Sequence, residues 1–235
     1  VLQAGTGRVQ HATVVQFQTV LGSFEVNLYD QDTPATVANF LDYVNARAYD
    51  NTVIHRSVPN FVVQGGGFMS AGMLPLASIP ANPPVSNEPE FSNVRGTIAM
   101  AKLGGDPNSG TNEWFFNFAN NSANLDVQNG GFTVFGEVTG MGMSVVDAIG
   151  ALPLFDFGGA LGSLPLRNYS AQDAANAVPV TNQHLVLITA IVVIDGAVDT
   201  AAGLSPVPNT LISAPSTSPP PASSGGGGGT TTWAT

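Results

Sequence analysis

The feature that most constrains the fold is a succession of short strand-like segments with turn residues between them. In Val14 to Tyr29, written VVQFQTVLGSFEVNLY, apolar residues alternate with polar ones on both sides of a Leu-Gly-Ser turn. Alternation with a period of two around such a turn predicts a β-hairpin. Further strands are predicted at 52–57, 61–65, 96–101, 113–118, 132–138 and 184–194.

Only two segments carry a helical pattern. Apolar residues with helical spacing follow Thr33 and Pro34, where threonine suits the N-cap and proline suits the first helical position. We therefore predict a helix at about 34–47. The second predicted helix is shorter and covers about 143–150.

These elements predict a mainly β protein. Many short strands, two helices and no regular alternation of strand with helix favour a closed antiparallel barrel over a doubly wound sheet. A barrel of about eight strands has an interior that its own side chains fill. We therefore expect a ligand site on the outer wall or the rim of the barrel.

Composition divides the chain into three parts. We predict an N-terminal extension at 1–12, a barrel domain at 13–196 and a Pro/Ser/Gly-rich C-terminal tail at 197–235. From about Leu204 the sequence has linker composition, which cannot build a core. Two interpretations stay open for the tail. It is either a flexible tether or a connector that engages a neighbouring molecule, through Trp233 or as an added strand.

The charge of the chain argues against two classes of partner. The formal net charge is −10 and the isoelectric point is about 4.3. Nucleic-acid binding requires a basic footprint, so we expect no nucleic-acid partner, and anionic membrane surfaces are disfavoured for the same reason. No apolar run reaches the length of about eighteen residues that indicates a transmembrane helix, so no membrane span is expected.

The composition also bears on localisation. Only 9% of the residues are charged, against about 25% in a typical soluble domain. Neutral polar side chains must then supply most of the solubility, which suits a secreted protein, periplasmic or extracellular. The chain begins with Val1 and has no cysteine. We interpret it as a processed, exported product that does not depend on disulfides.

Four sequence blocks carry a specific resemblance. They are YDNTVIHRSVPNFVVQGGGF at 49–68, GTIAMAK at 96–102, GGDPNSGTNEWFFNFA at 104–119 and FTVFGEV at 132–138. In order and spacing they resemble the cyclophilin-type peptidyl-prolyl isomerases, over roughly residues 13–196. The stretch LPLFDFGGALGSLPL before the last strand is similar to an insert of bacterial exported cyclophilins. The resemblance implies an eight-stranded antiparallel barrel capped by two helices, acting on the bond before proline.

The chemistry of that bond requires few catalytic groups. Resonance places a rotation barrier of about 18–20 kcal/mol between the cis and trans forms of an X–Pro bond, although the two forms have similar energies. A catalyst must stabilise a twisted amide whose nitrogen has regained its lone pair. A fixed cation that donates a hydrogen bond to that nitrogen does so, and arginine is suitable because it is permanently charged. No cofactor is expected.

The resemblance assigns roles to particular residues. Arg56 corresponds to the catalytic arginine, Gln64 to the residue that orders Arg56 and the substrate carbonyl, and Phe61 to a wall of the proline pocket. These three form the predicted catalytic set. The predicted substrate-binding set is Val62, Ala101, Lys102, Glu113, Phe115, Leu125 and Phe132. Without the motif, the arginine would be interpreted as a surface strand residue and the apolar residues as ordinary core.

Several positions depart from the usual family pattern. Glu113 stands in place of a glutamine, Asn124 in place of a cyclosporin-binding tryptophan and Phe132 in place of a rim histidine. Ala101 and Lys102 correspond to a segment whose backbone pairs with substrate, so the lysine side chain is expected to matter little. We expect isomerase activity with altered peptide preference and weak cyclosporin binding. Glu113 would either hold Arg56 in place or neutralise part of its field.

Other candidate sites are weaker. The glycines at 65–67 are not followed by the residues of a phosphate loop, and we expect them to permit a bulge or a close backbone approach. His11, His55 and His184 lack metal-ligand spacing, so no metal is expected. His55 is interpreted as satisfying a local hydrogen bond.

Three functions remain in competition. The leading hypothesis is an isomerase that acts on proline-containing peptides and unfolded exported proteins, and assists their folding. The second is a structural protein on the same fold, which forms a homo-oligomer or filament through residues 205–235. The third is a peptide-binding module in which Glu113 has removed turnover and left binding.

Overall fold

A computed structural model describes residues 13–196 and 204–212 of the chain. The predicted extension at 1–12, including His11, and the tail residues 197–203 and 213–235, including Trp233, lie outside the described residues. The strands are β1 Val14–Thr19, β2 Gly22–Leu28, β3 Thr52–Val53, β4 Arg56–Val58, β5 Val62–Gly65, β6 Phe68–Met69, β7 Ala77–Ser78, β8 Thr97–Met100, β9 Trp114–Asn117, β10 Val134–Val138, β11 Leu154–Phe155, β12 Leu164–Pro165 and β13 Leu187–Asp195. The helices are α1 Pro34–Asn45, α2 Ser122–Leu125, α3 Met143–Gly150 and α4 Ala171–Ala175, with 3₁₀ turns at Gln128–Gly130 and Gly159–Leu161.

Most strands belong to one strongly curled antiparallel sheet. Its order is β4-β5-β9-β8-β10-β2-β1-β13-β3-β6-β7. Although β3 and β4 stand far apart in this order, only Ile54 and His55 separate them along the chain. The amide of Ile54 donates to the carbonyl of Val186 at 3.0 Å, and that of His55 donates to Gln64 at 3.1 Å. Residues 52–58 therefore act as one strand that joins both sides of the sheet. With β3 and β4 counted as one, this strand closes a ring with β5, β9, β8, β10, β2, β1 and β13, which confirms the predicted eight-stranded barrel.

The predicted N-terminal hairpin is present as β1 and β2. Phe17 pairs with Phe24 across the hairpin, and their rings stack with centroids 5.1 Å apart. Both side chains are buried, and the edge of the Trp114 ring packs on Phe17 at 5.2 Å. The alternation that predicted the hairpin thus arises because one face of the strands fills the barrel interior.

Helix α1 begins at the predicted Pro34 but is not capped as predicted. The hydroxyl of Thr33 donates to the carbonyl of Tyr29 and makes no cap hydrogen bond. The carboxylate of Glu88, distant in sequence, accepts instead from the amides of Ala35 at 3.1 Å and Thr36 at 2.9 Å. A negative group at a helix N-terminus satisfies free donors and complements the helix dipole, so Glu88 replaces the cap.

The other predicted elements are present, with shifted ends and additions. Helix α3 has the predicted bounds, whereas the last strand begins at Leu187, three residues later than predicted at 184. Two short helices, α2 and α4, were not predicted. Helix α4 begins with a capping box, in which Ser170 and Asp173 each accept from the other's backbone amide.

Two buried clusters matter for the site. The main core fills the barrel and includes Phe17, Phe40 and Trp114. A second cluster lies under the outer wall and includes Phe115, Leu125 and Phe132, with Phe61 packed against it. Among residues 13–196 and 204–212, no helix is both long and apolar enough to cross a membrane.

Candidate active site

A pocket opens on the outer wall of the barrel, as expected for a barrel with a filled interior. Strands β4 and β5, the chain after β8, β9 and helix α2 supply its walls. Nine of the ten predicted site residues line it: Arg56, Phe61, Val62, Gln64, Ala101, Lys102, Phe115, Leu125 and Phe132. The tenth, Glu113, does not line the pocket, but its carboxylate contacts the side chain of Gln64.

Arg56 and Gln64 face each other across β4 and β5. They are register partners in the antiparallel pair, and Nη1 of Arg56 donates to Oε1 of Gln64 at 3.2 Å. Gln64 is buried and Arg56 is partly buried. Burial lowers the pKa of the Arg56 guanidinium, and the negative charge of Glu113 opposes that shift. The guanidinium is therefore a fixed cation at the edge of the pocket.

Glu113 fixes the other end of the Gln64 amide. Nε2 of Gln64 donates to Oε2 of Glu113 at 2.7 Å, and Nε2 of His55 lies 3.3 Å from the same oxygen. An ionised carboxylate only accepts hydrogen bonds, so the nitrogen of the Gln64 amide must face Glu113 and its oxygen must face Arg56. Glu113, Gln64 and Arg56 therefore form a hydrogen-bonded chain in which the orientation of the Gln64 amide is fixed.

His55 lies beside Glu113, on the inner side of this group of residues. Its side chain is buried, and its ring meets the ring of Phe68 edge-on at 4.9 Å. Its Nε2 nitrogen lies within ion-pair distance of Glu113, and the predicted local hydrogen bond of His55 stays a prediction. His55 does not line the pocket, so it has no direct access to a ligand there.

The glycines before β6 make room for these groups. A Cβ atom on Gly67 would lie 2.5 Å from Oε1 of Glu113. Gly66 has φ of +87°, and a Cβ there would lie 2.4 Å from the carbonyl oxygen of Asn112. The predicted close approach is therefore present, and it admits the carboxylate that orients Gln64.

The apolar wall of the pocket is aromatic. Phe115 and Phe132 pack edge to face with centroids 5.7 Å apart, and both are buried. Leu125 at the end of α2 is also buried, whereas Phe61 is partly exposed at the rim. Such a surface can hold a small apolar ring, such as a pyrrolidine, beside the guanidinium.

The side chain of Lys102 has a larger structural role than expected. Its Nζ donates to the carbonyls of Asn129 at 2.9 Å and Gly131 at 2.6 Å. It also lies 4.7 Å from the centroid of the Phe132 ring. Burial lowers the pKa of this ammonium to about 8. The lysine therefore ties the loop after α2 to the pocket floor, in addition to the backbone role predicted for it.

Sequence reasoning missed the polar groups that support the pocket from below. The buried carboxylate of Asp126 accepts from the amide of Asn93 at 2.7 Å and from its Nδ2 at 3.0 Å. Nδ2 of Asn121 donates to the carbonyl of Phe61 at 2.9 Å. These contacts join segments far apart in sequence, so the only available signal was the density of Asn and Asp at 119–131.

Comparison with known proteins adds the family context. The family described as cyclophilin type peptidyl-prolyl cis-trans isomerase/CLD matches residues 14–162. A peptidyl-prolyl cis-trans isomerase of Acinetobacter baylyi is 39% identical over 147 residues, which cover 62% of this chain and 76% of the relative. Peptidyl-prolyl cis-trans isomerase A of Dickeya dadantii is 44% identical over 142 residues, which cover 59% of this chain and 71% of the relative.

A solved structure shows the same fold at lower identity. A cyclophilin type peptidyl-prolyl cis-trans isomerase of Cryptosporidium parvum superposes with a TM-score of 0.55 at 20% identity. The match covers 80% of this chain and 100% of the other. At that identity the likeness speaks for the fold alone.

Proposed function

The chain belongs to the cyclophilin-type peptidyl-prolyl cis-trans isomerase family and is an isomerase of this type, and we propose that Arg56 carries its catalysis. The observation that supports this role is the position of the Arg56 guanidinium beside an apolar aromatic pocket, oriented by the Gln64 amide. Gln64 acts as the orienting residue, and Phe61 acts as a wall for the proline ring.

The reaction rotates a bond without breaking one. In the planar amide, resonance removes electron density from the prolyl nitrogen, and the barrier to rotation is about 18–20 kcal/mol. When the amide twists, the nitrogen becomes pyramidal and can accept a hydrogen bond. A donor that binds this nitrogen only in the twisted state lowers the barrier, because it stabilises the transition state more than the ground state.

Arg56 has donors to spare for this step. A guanidinium carries five N–H groups. Within the part of the chain that the structure describes, only Nη1 makes a hydrogen bond, to Gln64. The remaining N–H groups are therefore available to a peptide in the pocket. Because Gln64 and β4 already hold the side chain, little entropy is lost when the donor engages substrate.

The pocket would bind the proline side of the substrate. Phe115, Leu125 and Phe132 offer a buried apolar surface for the pyrrolidine ring. The ring is then held while the residue before proline rotates with the acyl group. This division separates binding from turnover, since the pocket contacts change little between the planar and twisted states, whereas the Arg56 hydrogen bond exists only in the twisted one.

The contacts of Glu113 favour the interpretation that it supports Arg56 over the interpretation that it weakens the electric field of the arginine. The carboxylate makes its hydrogen bond to Gln64, and its effect on Arg56 is to oppose the lowering of the guanidinium pKa by burial. We therefore propose that Glu113 is a positioning residue. It keeps the Gln64 oxygen toward the arginine and helps to keep the arginine charged.

We propose further that the enzyme is exported, periplasmic or extracellular, and assists the folding of other exported proteins. The support is compositional: charged residues make up 9% of the chain, and cysteine is absent. Fractionation of the source cells with an antibody against the chain tests the location. Recovery with cytosolic markers alone would remove this part of the proposal.

The assembly hypothesis gains no support from the described residues. It depended on residues 205–235 as a connector between molecules. Within that segment, Val207 and Asn209 make hydrogen bonds to Glu90, Ser92 and Asp126 of their own chain. Residues 213–235 lie outside the described part.

The test of the mechanism is turnover of a proline peptide by the wild-type protein and by Arg56→Ala. The proposal predicts that the variant folds, retains peptide affinity and loses most of its rate. A variant with the wild-type rate would exclude Arg56 as the catalytic group.

A further inference from the structure

Residues 204–212, which we call the strap, return to the pocket after the last strand. They follow β13 by eight residues that lie outside the described part except for Gly196, and they lie beyond the region matched by the family at 14–162. We propose that the strap is a positioning element of the proline pocket. It fixes the loop that carries Leu125 and Phe132, and so sets the affinity for proline peptides.

The strap pairs with a loop beside the pocket. Pro208 forms an antiparallel bridge with Phe91. The amide of Ser92 donates to the carbonyl of Val207 at 2.8 Å, and the amide of Asn209 donates to the carbonyl of Glu90 at 2.8 Å. These two bonds on either side of the bridge fix the strap in register along 90–92.

A buried side chain connects the strap to helix α2. Nδ2 of Asn209 donates to the carbonyl oxygen of Asp126 at 2.9 Å, and Asn209 is only 7% exposed. Asp126 directly follows the pocket residue Leu125. Its carboxylate accepts from the hydroxyl of Ser92 and from the amide of Asn93. Asp126 is thus held both by the 90–93 loop and by the strap.

The two ends of the strap contact the pocket loop through apolar atoms. Leu204 packs against the buried cluster that contains Phe115, Leu125 and Phe132. At the other end, Cδ1 of Ile212 lies so close to Gly131 that a Cβ on this glycine would be 2.8 Å from it. Gly131 immediately precedes Phe132, and its carbonyl accepts from Lys102. The strap therefore covers the outer side of the loop whose inner side faces the pocket.

Helix α2 needs such external support. It has four residues and no side-chain cap hydrogen bond. A single helical turn is not stable alone in water, since the entropy of ordering it exceeds the gain from its few hydrogen bonds. Its position must therefore come from tertiary contacts. The hydrogen bonds of Asp126 and the contacts of the strap are among them. Loosening the strap should free Leu125 without moving Arg56.

This inference rests on the proposed function, because it takes the pocket to be the proline site. It differs from the proposed role of Arg56 in the kinetic step that is affected, which is peptide binding for the strap and turnover for Arg56. The pocket holds the proline ring equally in the planar and twisted states, so loss of the strap should weaken binding and leave the rate of the bound complex. Loss of Arg56 should do the opposite.

The test uses the full-length protein and a tetrapeptide with one Ala-Pro bond. Asn209→Asp removes the donor to Asp126 at constant size, and Leu204→Ala removes apolar contact. Asn176→Asp makes the same change in charge at the exposed end of α4 and is the matched control. The peptide Kd is measured by titration, and kcat and KM by isomerisation kinetics.

We expect Kd and KM to rise about threefold to tenfold in both strap variants, with kcat within about twofold of wild type. A variant that is merely unfolded in part would lower the apparent kcat at unchanged KM. Unchanged Kd in both strap variants, or an equal rise in Asn176→Asp, would overturn the inference. If the wild-type protein itself fails to bind the peptide, the proposed function fails and the inference with it.

Discussion

The carboxylate of Glu113 accepts a hydrogen bond of 2.7 Å from Nε2 of Gln64, which leaves Oε1 of the same amide facing Arg56. A glutamine at 113, by contrast, would offer both a donor and an acceptor, and the Gln64 amide would lose its preferred orientation. Glu113 is thus joined to Arg56 through one intervening side chain.

Glu113→Gln is expected to lower kcat by about threefold to tenfold, because the support of Arg56 becomes weaker. The measurement is the kinetics of proline-peptide isomerisation. Glu25→Gln makes the same change of charge at an exposed position on β2 and should have the wild-type rate. A faster Glu113→Gln enzyme would show that the carboxylate reduces the field of Arg56.

Lys102, the only lysine in the chain, should leave a distinct signature in the pH dependence of stability. Burial lowers its pKa from 10.5 to about 8. Between these values the unfolded chain binds more protons than the folded one, so the lysine's contribution to the free energy of unfolding rises with pH across this window.

Urea unfolding of wild type and Lys102→Met, at pH values from about 7 to 10.5, measures this contribution as a difference. Titrations of other groups are common to both proteins and cancel. The advantage of wild type over the variant should increase with pH. A difference that stays constant across the window would contradict a lowered lysine pKa.

Gly66 should tolerate substitution worse than another glycine with a similar backbone. Gly66 and Gly105 have φ of +87° and +83°, but a Cβ would meet the Asn112 carbonyl at 2.4 Å only at Gly66. Gly105→Ala should cost about 1–2 kcal/mol from backbone strain alone. Gly66→Ala should cost about 3 kcal/mol or more in urea unfolding. Equal losses would mean that the backbone at 66 moves away from the clash.

Glu88 should stabilise helix α1 from outside it. Glu88→Ala leaves the amides of Ala35 and Thr36 without their acceptor and is expected to lower the free energy of unfolding by about 1–2 kcal/mol. Glu90→Ala removes an exposed carboxylate two residues away and is the control. If both variants are equally stable, the Glu88 contacts contribute nothing measurable.

The parts of the fold with local signals were predictable. The hairpin followed from alternation, and α1 and α3 from apolar spacing, because these patterns record which face of an element is buried. The chemistry-bearing blocks brought nine predicted residues to one pocket, since their spacing fits the order of the strands that form it. The predicted domain boundaries and the export of the chain remain predictions.

What escaped prediction depends on contacts between distant segments. Asn209 donates to a carbonyl 83 residues away, and Glu88 reaches amides 52 and 53 residues away. No periodic pattern records such pairs, and polar residues in a Pro- and Asn-rich stretch are typical of a loop. Composition assigned 204–212 to a linker, but a few buried contacts hold that segment beside the pocket.

The most direct test of the mechanism is to compare turnover with binding in Arg56→Ala. Arg47→Ala serves as the control, because the Arg47 side chain is 80% exposed and pairs only with Asp50 among the described contacts. We predict that kcat of Arg56→Ala falls by about a hundredfold or more while the peptide Kd stays within about threefold. A kcat equal to that of wild type would contradict the assignment of catalysis to Arg56.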